Sequence, residues 1–85
     1  MMSDVNEPIE VGAIFGRDKK LIKPVWFIWE KKKYFIKEIT YIWKSREDRA
    51  DLYHFSVTDG KNLYHISYSM ERMIWRLCNV ELEGS

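Results

Sequence analysis

Eighty-five residues are enough for one domain and too few for a second core. With 46% hydrophobic and 15% aromatic residues, the composition excludes a disordered polar segment, and a formal net charge of +1 excludes a strongly charged chain. Cys78 is the only cysteine, which rules out an internal disulfide and any CxxC or zinc-finger spacing.

The opening "MMSDVNEPIE" is acidic and polar, unlike a secretory leader. No apolar run approaches the roughly 18 residues that a membrane helix needs. The expected setting is the cytoplasm, with no membrane contact and with residues 1–8 and 83–85 as flexible ends of a single β domain. Between residues 9 and 82 the apolar positions mostly recur with period two, enriched in β-branched and aromatic side chains. That pattern predicts an all-β chain. About six antiparallel strands follow one another as a meander, near 9–16, 22–30, 33–44, 51–58, 61–69 and 73–82. So much inward bulk on short strands predicts a strongly curved sheet or small barrel.

In the second and third predicted strands, Val25, Phe27 and Trp29 alternate, as do Tyr34 and Ile36. The phase then breaks, because Ile39, Tyr41 and Trp43 fall on odd numbers. A β-bulge near Lys37-Glu38 would return these three to the inner face. A short helix also fits the spacing of Ile36, Ile39 and Trp43, but "FIKEITYIW" is richer in strand-forming residues. The expected aromatic core is Phe27, Trp29, Tyr34, Tyr41, Trp43, Phe55, Tyr64 and Trp75, with polar ring atoms at rims.

Asp59-Gly60, between alternating segments, marks a hairpin turn. A two-residue turn there sets Phe55 opposite Tyr64, Tyr53 opposite Ile66 and His54 opposite His65, whereas a three-residue loop with a glycine bulge would shift the pairing by one position. A four-residue loop after Tyr68 then sets Tyr68 opposite Met73, Ile66 opposite Trp75 and Tyr64 opposite Leu77. Both hairpins agree on one core face. His54, His65 and Cys78 fall together on the other face and raise the question of zinc. Strand ligands need convergent geometry that no motif here enforces, so no metal and no cofactor is expected.

Three bulky residues have no place in that core. With Ile28 opposite Phe35 and Trp26 opposite Lys37, they occupy the outer side of a hairpin whose tip carries Lys31, Lys32 and Lys33. Charge is segregated in the same region: Arg17 to Arg49 holds eleven Lys or Arg against five Asp or Glu. Rings interleaved with cations suit single-stranded nucleic acid, since bases stack and phosphates attract lysine. Trp26, Ile28, Phe35, Lys31, Lys32, Lys33 and Lys37 are therefore the candidate contact residues. The same patch would equally anchor a protein partner or a homodimer, or be covered by another segment of the chain. Catalytic constellations are missing: "GRDKK" lacks the glycines and Gly-Lys-Ser/Thr ending of a phosphate loop, no GxSxG elbow occurs, and Cys78 has no evident base. The expectation is a non-enzymatic binding module.

Pro24, Phe27, Trp29, Tyr34, Ile36, Ile39 and Trp43, followed by "HFSVTDG", "YHISY" and "WRL", form a spaced pattern over residues 24–77. In it the chain resembles a small uncharacterised bacterial β-rich domain family. That family has a proline, F-x-W, a glycine-containing turn, Y-x-V-x-x-V and a tryptophan, then a D-G turn and a final W-x-L. Some members accompany translesion-polymerase-like DNA repair proteins, so the resemblance implies a DNA-processing partner and carries no catalytic residue. One departure stands out. The family's glycine turn reads Glu30-Lys31-Lys32-Lys33 here, and lysine tolerates positive φ poorly, which predicts a four-residue loop in place of a tight turn.

Overall fold

The computed structural model describes residues 2–16 and 22–82. It holds seven strands: β1 (Met2–Phe15), β2 (Ile22–Trp29), β3 (Lys32–Phe35), β4 (Glu38–Glu47), β5 (Ala50–Thr58), β6 (Leu63–Ser69) and β7 (Ile74–Glu81). All are antiparallel and form one sheet in the order β3-β2-β1-β7-β6-β5-β4. The all-β expectation holds, with one strand more than expected because the predicted strand over 33–44 is split into β3 and β4. Residues 2–8, expected as a flexible end, pair with β7 instead, from Met2 opposite Glu81 onward. The expected flexible end at 83–85 lies outside the described residues.

The order is not a simple meander, because β3 and β4 are successive in sequence yet occupy opposite edges. Laid flat, six strand spacings would separate them by about 29 Å. Only Ile36 and Lys37 join them, so their facing ends are at most about 11 Å apart. The link is fixed on both sides: Ile36 N–H donates to Val25 O at 3.0 Å and Lys37 N–H to Thr58 O at 2.8 Å. The sheet therefore bends over its core, and its extents are 38 × 27 × 24 Å. It stays open, since β3 and β4 do not pair, so of the two forms expected, a strongly curved sheet or a small barrel, the barrel is not formed.

Bending brings inner-face rings from distant strands together. Phe27 on β2 stacks on Tyr34 of β3 at 5.1 Å and meets Tyr64 of β6 edge-on at 5.0 Å. Phe27 and Tyr64 share the buried core with Ile22, Phe55, Val57, Ile66, Tyr68, Trp75, Leu77 and Val80. Each such side chain contributes roughly 1.5–3 kcal/mol by leaving water, which a chain of this length needs. Trp29 is half-buried at the rim, where its indole N–H donates to Glu7 at 3.3 Å.

Registers differ from expectation while faces mostly do not. In the β5–β6 loop the Asp59 carboxylate accepts the N–H groups of Lys61 and Asn62, both at 2.9 Å, and the Tyr64 hydroxyl at 3.0 Å. That makes a four-residue loop, which puts Phe55 opposite Ile66 and Val57 opposite Tyr64. The next hairpin slides likewise, with Tyr68 opposite Trp75 and Ile66 opposite Leu77. A slide of two residues preserves the inner face, whereas a slide of one would not. The β2–β3 turn corrects the sequence reading more sharply. It is tight after all: Glu30 and Lys31 take φ of 53° and 63°, and Trp26 stands opposite Phe35, not Lys37, with Ile28 opposite Lys33.

Tyr41 and Trp43 are not in the core. Thr40 is an extra residue on β4, its hydroxyl donating to Ser56 O at 3.0 Å. After the corner at 36–37 this second irregularity reverses the phase again, so Ile39 packs inward while Tyr41 and Trp43 turn outward.

Candidate binding face

Cross-strand partners share a face of the sheet, so the outer face of β1, β2 and β3 can be read from the registers. Glu10 and Gly12 on β1 stand beside Ile28 and Trp26 on β2, which stand beside Lys33 and Phe35 on β3. Gly12 is required there. A Cβ at that position would stand inside the Trp26 indole, so the ring lies against the bare backbone of β1. Phe35, directly opposite Trp26, is 66% exposed. The Lys33 ammonium sits over both rings, 4.3 Å from the Trp26 centroid and 5.5 Å from that of Phe35. Cation and ring quadrupole attract in such a pose.

The structure assembles only part of the predicted contact set. Trp26, Ile28, Phe35 and Lys33 share this face, with Lys31 in the adjoining turn. Lys32 pairs with Trp29 on the inner side, where its ammonium lies 5.5 Å from the Tyr34 ring. Lys37 belongs to the corner and lies against Gly60. Lys23 joins the face instead, opposite the 59%-exposed Ile14. Its arrival follows from Val25, an extra residue on β2 between the pairs Gly12–Trp26 and Ala13–Pro24. The sequence held that signal: apolar Ile22 and Pro24 are out of phase with Val25, Phe27 and Trp29.

The outer face of β4 to β7 carries a second cluster, along a cleft of about 570 Å³. The Asn79 amide N–H donates to His65 Nδ1 at 3.2 Å, leaving His65 Nε2–H to donate to His54 Nδ1 at 2.9 Å. His54 Nε2–H then donates to Ser45 Oγ at 2.7 Å. Trp43 covers this run, parallel to His54 at 5.1 Å and tilted on His65 at 4.9 Å. His54 and His65 are therefore bonded to each other, though diagonal and not directly opposite as expected. Cys78 is an unpaired extra residue on β7 whose thiol donates to Ser67 at 3.4 Å. Among the described residues, no group of three or more His, Cys, Asp or Glu side chains is placed to hold a metal ion.

Burial pushes the pKa of both histidines below 6.5; the neighbouring His54 lowers that of His65 further, while Glu47 partly opposes the effect at His54. Both rings are neutral near pH 7, as the hydrogen-bonded run requires. Burial likewise raises the Tyr64 phenol to about 12, and the Asp59 carboxylate beside it adds to that.

No protein family, curated protein or solved structure matches the chain. Among the described residues, no helix is long and apolar enough to cross a membrane.

Proposed function

We propose that the chain is a non-enzymatic binding module that takes single-stranded nucleic acid on the outer face of β1, β2 and β3. The observation that carries this reading is the adjacent pair Trp26 and Phe35, lying on the solvent side with the Lys33 ammonium over both rings. A base stacks on an aromatic face whatever its identity, and a displaced lysine reaches the neighbouring phosphate. Lys23 and Lys31 extend the positive charge along the strand direction. A DNA-processing context, implied by the family resemblance over residues 24–77, fits this chemistry.

The test is titration of a labelled oligothymidylate at two salt concentrations, with wild type and Phe35→Ala. Affinity should fall log-linearly with salt, by a slope of about −0.7 per phosphate neutralised. Removing one stacking ring should weaken binding by about 1–3 kcal/mol, roughly 5- to 150-fold. Phe35 is mostly exposed, so the variant keeps its fold. No binding at low salt, or equal binding by both proteins, refutes the reading.

A second reading has its own observation. Exposed Ile14 and half-buried Ile28 widen the patch beyond what stacking needs, as an apolar centre for a protein partner or a second copy would. Self-association lost in Phe35→Ala and Trp26→Ala, without salt dependence, would favour it.

A further inference from the structure

We propose that β4 pairs antiparallel, edge to edge, with β4 of a second copy of the chain, about a two-fold axis at Ile42. The two sheet edges differ in kind. β3 has four residues, two of them lysines, and so is poorly suited to adding a strand. β4 has ten residues, and beyond the Thr40 bulge it runs regularly from Tyr41 to Glu47. Tyr41 on its outer side is 66% exposed and Ile42 on its inner side 50% exposed. Large apolar groups on both faces of an open edge suit strand addition.

The backbone fixes which residues can pair. Asp51 directs its carbonyl toward β6, accepting the Met70 N–H at 3.3 Å, so its partner Arg46 turns its own N–H and C=O away from β5. By alternation Lys44 and Ile42 also point their backbone groups outward. Outward-facing residues must oppose one another across the new ladder. An axis at Lys44 would set ammonium against ammonium and Ile42 against Arg46. An axis at Trp43 would set Ile42 against Lys44. An axis at Ile42 sets Ile42 against itself and Tyr41 against Trp43, both favourable cross-strand pairs. The Thr40 bulge of each copy then lies beside Lys44 of the other, where the regular ladder ends. The contact is isologous, so it closes at two copies. It leaves the Trp26 and Phe35 face free, and it stands or falls independently of nucleic-acid binding.

Sedimentation of wild type should show a concentration-dependent dimer, while Ile42→Lys, which sets two ammonium groups at the axis, should be monomeric with an unchanged circular dichroism spectrum. In a Cys78→Ser background, Ile42→Cys should oxidise to a covalent dimer, because paired Cα atoms about 5.5 Å apart lie within disulfide range. Lys44→Cys should cross-link far less. Phe35→Ala should remain dimeric. Wild type monomeric at every concentration, Ile42→Lys still dimeric, or Lys44→Cys cross-linking ahead of Ile42→Cys would each overturn the proposal.

Discussion

His54 and His65 share one hydrogen bond, and every ring nitrogen of the pair already has a partner in the neutral state. A proton added to His54 Nδ1 would confront the His65 Nε2–H, so charging either ring breaks the run. Both native pKa values lie below the ordinary 6.5, whereas the unfolded chain titrates near it. As pH falls through about 6.5, the unfolded state therefore binds more protons than the native one, and stability falls with it. The loss levels off below the lowered native values. Asp59 acts in a separate, more acidic window. Burial opposes its charge, but the hydrogen bonds from Asn62, Lys61 and Tyr64 hold it below 3.8, so its contribution is complete above that value and is lost only as pH falls further. Urea midpoints of wild type should thus drop between about pH 7 and 5.5. In a His54→Gln/His65→Gln double variant the midpoints should stay level over that range; parallel slopes in the two proteins would show that the pair is not the source. The shared face of these histidines could be read from alternation alone. So could their pairing, though as a directly opposed pair; the diagonal geometry follows from a slide of two residues set by the Asp59 side-chain bonds.

Hairpin turns explain most of what the sequence hid at the scale of elements. Alternation located the strands, and period-two slides left Phe55, Tyr64 and Trp75 on the core face whatever the loop length. Single extra residues were harder to read. Val25 and Thr40 each reverse a strand's phase, and each occupies a run of β-branched and aromatic side chains that looks regular. Tyr41 and Trp43 were misplaced for this reason alone. The β2–β3 turn failed differently, since propensity argued against positive φ at lysine while strand twist demanded it. Glu30 and Lys31 adopt φ of 53° and 63°, and Asp48 and Arg49 in the β4–β5 turn adopt 46° and 67°. A residue with a Cβ carries roughly 1–2 kcal/mol of strain there, and glycine does not. Lys31→Gly and Arg49→Gly should accordingly each raise stability, by about 1 kcal/mol after the added chain entropy of glycine is subtracted. Thermal melts of the single and double variants test this. The two turns lie far apart, so the gains should add, and a lowered melting temperature for Lys31→Gly would mean that the turn is not the two-residue form.

Across the whole molecule, the sheet order is a meander read from the wrong starting point. Taken from one edge it runs β4, β5, β6, β7, β1, β2, β3, with every neighbour successive except where β7 meets β1. Met2 pairs with Glu81, so the last described strand ends beside the start of the first. Joining the chain's ends through a short linker and opening it between Ile36 and Lys37 would make every strand pairing local. The bonds given up are few, chiefly Ile36 N–H to Val25 O and Lys37 N–H to Thr58 O. Folding rate falls as contacts become more distant in sequence, and in the native order the whole β1–β7 ladder is closed by the full length of the chain. The permuted chain should therefore regain the native circular dichroism spectrum and refold about tenfold faster or more. It should also unfold at lower urea, because nothing then ties the β3 edge to the β4 edge across the core. Stopped-flow refolding and urea titration measure the two effects separately. Faster refolding with an undiminished urea midpoint would show that packing of Phe27, Tyr34 and Tyr64 holds the sheet bent without the corner; failure to fold would show that the corner must form before the sheet can close over its core.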